Sequence, residues 1–316
     1  MEKVNFEGWE NSIRLANGTV ELVATTAVGP RVVHLSAPGG PNLLGLDAEL
    51  LGKVAEGDEW VNYGGHRLWH APEITPRTYA GDNNPVAVSE VAGAVVLTQP
   101  IEPTNQIEKV TTLEIAPTTP VVKVGHTIIN RGVWTIDVSP WALTVTAGGG
   151  RVILPHEPFA GHGEGDNYLP ARPVVFWPFT DMSDSRYTWG KNFIQLRSDK
   201  ALDSAQKLGL FSSEGWGAFA ASNGDLLVIF IEPDNDGPDA YTDFGSNFET
   251  FTKGDFQELE TLGPIATLDP NASATHYERW VIVKGANLPA DDAGLGRVLP
   301  GVIADARKLA DAAFPV

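Results

Sequence analysis

The chain has no cysteine, which excludes a disulfide framework, a thiolate nucleophile and a thiolate metal site. Cations are scarce too: 22 Lys and Arg stand against 40 Asp and Glu, a formal charge of −18. A field of that sign repels phosphate backbones and anionic membrane surfaces, so neither nucleic acid nor a membrane is an expected partner. No run approaches the roughly 18 apolar residues of a membrane-spanning helix, and Met1 to Gly8 carry no stretch of signal-peptide length. A cytoplasmic location is expected, or a periplasmic one if a signal peptide was trimmed. No repeat, low-complexity tract or linker breaks the sequence, and one domain over residues 1–316 is expected.

What is present is β patterning. Short β-branched or alternating segments recur with turn residues between them, which predicts an all-β chain of antiparallel strands. Strands are predicted over 19–25, 31–36, 86–97, 109–115, 121–130, 135–139, 218–221, 226–231 and 275–283. Asn17-Gly18, Gly39-Gly40-Pro41-Asn42 and Asn223-Gly224-Asp225 supply tight turns between them. One short C-terminal helix is predicted, about 299–314, where Val302, Ile303, Ala306, Leu309 and Ala313 recur at helical spacing. It should dock on the outside of a sheet.

The densest chemistry lies in Asn62-Tyr63-Gly64-Gly65-His66-Arg67-Leu68-Trp69-His70-Ala71-Pro72-Glu73. Gly64-Gly65 admits backbone angles closed to other residues and Pro72 opposes a helix, so a loop or strand end is the expected setting. His66, His70 and Glu73 read as His-x3-His-x2-Glu, a metal spacing only if they share a helix face. With the helix disfavoured, imidazoles hydrogen-bonding around a ligand are preferred, and no metal or cofactor is expected. His34, His126 and His276 read as structural.

Nine tryptophans are the second signal. Any one of them is more often core than ligand wall, yet sugar rings offer apolar faces that stack on indole and hydroxyls that seek carboxylates, amides and arginine. Trp60 and Trp69 flank the first cluster; Trp141, Trp177 and Trp189 accompany polar residues mid-chain. Asp181 and Asp184 could line the same site or merely cap a turn. The glycines of 161–168 lack the strand, helix and lysine of a phosphate loop, and a loop over a cleft with His162 at its tip fits them better. The acidic run Glu232 to Asp243 has no EF-hand spacing and reads as a solvated loop.

Gly29-Pro30-Arg31-Val32-Val33-His34-Leu35, Pro41-Asn42-Leu43-Leu44, Gly64-Gly65-His66-Arg67-Leu68-Trp69, Phe176-Trp177-Pro178-Phe179-Thr180-Asp181 and Leu259-Glu260-Thr261-Leu262-Gly263-Pro264 follow in order along the chain. Together they resemble the galactose mutarotase-like superfamily, and most closely its aldose 1-epimerase-like bacterial branch. The resemblance implies a β-supersandwich of antiparallel strands whose concave face holds a monosaccharide or glycan end. It implies a glutamate base at the Leu-Glu-Thr position, Glu260. Glu258, two residues earlier, would share its strand face and make a carboxylate pair. Arg67 matches the family arginine on the sugar hydroxyls, and its fork suits vicinal hydroxyls or the carboxylate of an acidic sugar.

The sequence departs from the family at the acid. The expected mid-chain histidine is missing from Ser139-Pro140-Trp141-Ala142-Leu143-Thr144, leaving His66, His70 or His162 to supply the proton. The expected function is a carbohydrate-active protein, of the aldose 1-epimerase type, with Glu260 as base, His66 or His70 as acid, and Arg67, Trp69, Glu73, Asp181, His162 and Glu258 around the sugar. The alternatives are a non-catalytic carbohydrate-binding protein, or a glycan-cleaving enzyme pairing Glu258 or Glu73 with Glu260.

Overall fold

The computed structural model describes residues 1–163 and 168–315. Within them the chain forms two antiparallel sheets, of 11 and 10 strands, and one long helix. This is the all-β antiparallel architecture that the periodicity predicts, in the sandwich form that the resemblance implies. No helix of the described residues is long and apolar enough to cross a membrane.

The middle of the first sheet places six strands side by side: Arg31–Ser36, His66–Ala71, Ile136–Thr146, Phe256–Leu262, Phe248–Lys253 and Gln206–Leu210. In the second sheet, Ser273–Val283 lies between Leu226–Phe230 and Val121–Asn130. Leu22, Val32, Leu208 and Leu259 of the first sheet meet Val122, Val124, Leu227, Ile229 and Trp280 of the second in the main core. Burial of each such side chain contributes about 1.5–3 kcal/mol. This apolar layer fixes which face of every strand points inward.

Predicted strands 31–36 and 121–130 are observed with those bounds. The stretch 86–97, read as one strand, is a hairpin of Ala87–Val91 and Ala94–Thr98, turned at Ala92 (φ 52°) and Gly93 (φ 89°). Strand 135–139 continues instead through Pro140 to Thr146. A proline is tolerated there because Ile136–Thr146 changes partners: Val138 pairs with Ala266, Trp141 with Leu262, and no ladder spans Ser139 and Pro140 on that side. His66–Ala71, expected on a loop or strand end, is a wholly buried strand.

The helix runs Asp292–Ala313, starting well before the predicted Leu299, with Asp291 Oδ1 accepting the Gly294 amide at 2.8 Å. Pro300 sits inside the helix, past its first turn. Its buried face is Leu295, Leu299, Ile303, Ala306 and Ala310, packed on Trp216, Phe230 and Val281 outside the second sheet. Leu309, assigned to that face by spacing, is instead 38% exposed.

Gly64 and Gly65 enter the His66–Ala71 strand at φ 80° and 72°. A Cβ on Gly64 would lie 2.2 Å from the Gly45 carbonyl oxygen, and one on Gly65 2.3 Å from that of Val32. Both contacts are with backbone, which cannot swing aside. Gly65→Ala is therefore expected to cost about 2 kcal/mol or more, read as a lower urea midpoint; an unchanged midpoint would show that this entry is not strained.

Candidate functional site

Successive side chains of a strand point to opposite faces, and the core settles which is which. On His66–Ala71, Leu68 packs with Ile128 and Val138 between the sheets, whereas Trp69 packs with Trp141, Leu143 and Phe211 on the outer face of the first sheet. Arg67 therefore faces outward with Trp69. His66 and His70 point inward with Leu68.

Cross-strand register assembles the outer face. Arg67 lies opposite Leu143, Leu143 opposite Glu260, and Glu260 opposite Glu249. The next row joins Val145, Glu258, Phe251 and Lys207. Above these rows is a cleft of about 300 Å³ lined chiefly by aromatic rings: Trp60, Trp69, Tyr79, Trp141, Trp177 and Phe179, with Phe251 and Phe256. Asn62, Arg67, Glu73, Lys207 and Glu258 supply its polar groups. The volume is at the lower end for small-molecule sites.

Two buried cations organise these groups. Arg67 Nη2 donates to Glu258 Oε1 at 3.0 Å, and its guanidinium lies 4.7 Å from the Trp69 ring centre and 5.6 Å from that of Trp60. Lys207 Nζ is 2.7 Å from Glu249 Oε2 and 3.0 Å from Glu260 Oε2, with the rings of Trp141 and Trp177 at 4.7 and 4.6 Å. The Trp141 indole N–H also donates to Glu260 Oε2 at 2.9 Å. At the rim, the Tyr79 hydroxyl donates to Glu73 Oε1. Trp60 Nε1, Arg67 Nε and Nη1, and Glu260 Oε1 are buried with no hydrogen-bond partner among the described residues.

Charges shift proton affinity here. Burial raises the Glu258 carboxyl to about 7; Arg67 opposes this and Glu260 adds to it. Burial likewise raises Glu249, against the pull of Lys207. Burial alone would lower Lys207, but Glu249 and Glu260 hold its ammonium above the usual range. Burial raises Asp243 as well, with Lys207 opposing and Glu260 and Glu73 adding. The acidic run, expected to be a solvated loop, thus ends within electrostatic reach of the cleft. Burial, Glu73 and their hydrogen bond raise the Tyr79 phenol to about 12.

The structure brings together Arg67, Trp69, Glu73 and Glu258 in the cleft wall, with Glu260 behind them. It separates the remaining predicted residues. His66 and His70 are corrections: strand alternation turns both into the sandwich, where burial lowers each imidazole, His66 to about 3 and His70 well below its usual value. Asp181 is exposed and caps a turn, its Oδ1 accepting from the Ser183 amide and hydroxyl at 2.9 and 2.7 Å. Asp184 forms a two-point pair with Arg186 away from the cleft. His162 is exposed with Tyr168 at 6.3 Å, and residues 164–167 of its glycine-rich stretch lie outside the described residues. None of the seven histidines lines the cleft.

Sequence reasoning missed Lys207, Glu249 and Tyr79. Lys207 had a signal: Leu208 and Leu210 alternate with it as core residues in Gln206–Leu210. A larger cleft of about 720 Å³ lies between the helix and the second sheet. Its Glu157 accepts from the Ser213 amide, and its Arg307 donates to the Glu214 carbonyl.

No family model matches the chain, and no curated protein matches it. Solved structures do share its fold. A galactose mutarotase-like protein from Lactobacillus casei ATCC 334 is 11% identical with a TM-score of 0.52, over 86% of this chain and 100% of that one. A candidate aldose 1-epimerase from Escherichia coli K12 is 11% identical with a TM-score of 0.53, over 86% and 98%. A protein of Synechocystis sp. PCC 6803 is 12% identical with a TM-score of 0.54, over 89% and 99%. The chain therefore has the galactose mutarotase-like sandwich fold, and identities this low carry fold alone.

Glu258 makes stability depend on pH. A carboxyl held above its unfolded value of 4.5 contributes stability below that pH and loses it as pH rises to about 7. Between pH 4.5 and 7 the wild type should lose on the order of 2 kcal/mol relative to Glu258→Gln; parallel urea-stability curves for the two proteins would refute the shift.

Proposed function

We propose that the cleft binds a neutral or amino monosaccharide, free or at a glycan end, and that the protein interconverts its anomers in the manner of an aldose 1-epimerase. The observation that carries this reading is the joining, on one sheet face, of an aromatic wall and a carboxyl poised near neutrality, Glu258 beside Arg67. Indole and phenyl rings suit the apolar face of a pyranose. The unpaired Arg67 Nε and Nη1 suit its hydroxyls. Glu73, Glu249, Glu258 and Glu260 outnumber Arg67 and Lys207, so an acidic sugar, which the arginine alone had allowed, is disfavoured.

Anomer exchange removes the proton from the O1 hydroxyl, breaks the C1–O5 bond and protonates O5; the aldehyde then re-closes on its other face. O1 and O5 share one carbon, so a single carboxyl can serve both. The protonated Glu258 carboxyl gives its proton to O5 through one oxygen and accepts the O1 proton through the other, ending with as many protons as it began. That route needs no histidine. Glu260, expected as the base, is reassigned: Trp141 and Lys207 occupy its Oε2, and it acts by positioning them.

The test is magnetisation exchange between anomers by NMR, over a panel of neutral, amino and acidic sugars. For the sugar that binds, exchange should fall as pH rises through about 7 and drop at least 10²-fold in Glu258→Gln, whereas Glu260→Gln should mainly raise KM. Exchange that rises with pH, or is lost only in Glu260→Gln, would overturn the Glu258 route. A second reading, recognition without catalysis, draws support from the absence of an imidazole in the cleft, and binding without exchange would establish it.

A further inference from the structure

We propose that His66, His126 and Glu278 form a structural metal site, holding one first-row divalent cation such as Zn²⁺ between the two sheets. Neither the fold nor the reading of the cleft requires it. His66 comes from the first sheet, His126 and Glu278 from adjacent strands of the second, and their ligand atoms all lie within 4.8 Å of one another.

The geometry is that of a coordination triangle. His66 Nε2 is 3.1 Å from His126 Nε2, His126 Nε2 is 3.3 Å from Glu278 Oε2, and His66 Nε2 is 3.6 Å from Glu278 Oε2. Donors roughly 2.0–2.1 Å from a tetrahedral ion stand about 3.3–3.4 Å apart, and the three edges bracket that value. Hydrogen bonds account for it less well, since one Nε2 proton on His126 cannot serve both neighbours with good geometry. A cation accepts all three lone pairs together.

The surroundings fit ligands held in place. Coordination through Nε2 requires the His66 proton on Nδ1, and Nδ1 is 2.9 Å from Thr144 Oγ1, which can accept it. Glu278 Oε1 accepts from Thr261 Oγ1 at 2.5 Å, and Oε2 from Trp280 Nε1 at 2.8 Å. His126 Nδ1 is the exception, buried without a hydrogen-bond partner. Glu278 is fully buried and pairs with no lysine or arginine among the described residues. A carboxylate so placed is costly unless a cation offsets it. Two imidazoles and one carboxylate suit zinc and its first-row neighbours. The Trp280 ring lies 4.6 Å from that of His66, and burial bars a sugar from this site, so the ion would join the sheets behind the cleft without taking part in chemistry.

The test uses full-length protein purified from zinc-supplemented medium. Elemental analysis should find about one zinc per chain, retained against chelator in the native state and released when chelator is added in denaturant. Refolding with Zn²⁺ should restore the original melting temperature, refolding without it should lower it by several degrees, and refolding with Co²⁺ should give visible ligand-field absorption. His126→Asn should lose the metal; if that variant does not fold, the wild-type measurements decide. Metal that persists in folded His126→Asn would be adventitious and overturn the proposal. So would metal-free protein whose refolding is indifferent to both ions, leaving the triad a hydrogen-bonded cluster.

Discussion

The pleat of the His66–Ala71 strand is the constraint on which the rest depends. It lies at the centre of the first sheet, buried throughout, and a two-residue period divides its side chains between two environments. Arg67 and Trp69 go outward to the aromatic cleft, and His66, Leu68 and His70 go inward between the sheets. A slip of one residue would put two imidazoles in the cleft and a guanidinium and an indole in the core. Gly64-Gly65 opposes that slip, because its two positive-φ residues pass so close to the Gly45 and Val32 carbonyls that no other residue fits.

The cleft's order rests on buried charges held by opposite charges and by rings. Lys207 is 5% exposed, yet two carboxylates and two indoles surround it. Buried pairs of this kind add little net stability but become costly when one partner is removed, so they fix geometry more than they stabilise the fold. Glu258 is the member left near neutrality, because its burial, reinforced by Glu260, outweighs the opposing pull of Arg67 and Lys207. The space between the sheets holds a second polar group, around Glu278, on the opposite face of the first sheet from the cleft.

Much of this was legible from local pattern. Apolar alternation predicts an all-β chain and bounds Arg31–Ser36 and Val121–Asn130. The same period puts Glu258 and Glu260 on one face, and of the tryptophans singled out, Trp60, Trp69, Trp141 and Trp177 line the cleft whereas Trp189 does not. Where local pattern failed, a longer-range effect decided. The strand predicted over 135–139 continues past Pro140 by changing partners, and the helix predicted from Leu299 begins upstream, where Asp291 caps it.

The sequence by itself determined the pleat: which residues of each strand share a face, and that charges and rings alternate with core residues. Only the tertiary structure decided which face is inside and which strands are neighbours. Both follow from packing between segments far apart in the chain, and a local period cannot contain that information. Lys207 meets Glu260 because Phe248–Lys253 lies between their strands, and His66 meets His126 because the two sheets close on each other. His66 and His70 and the cleft carboxylates Glu258 and Glu260 are thereby set on opposite faces of the first sheet.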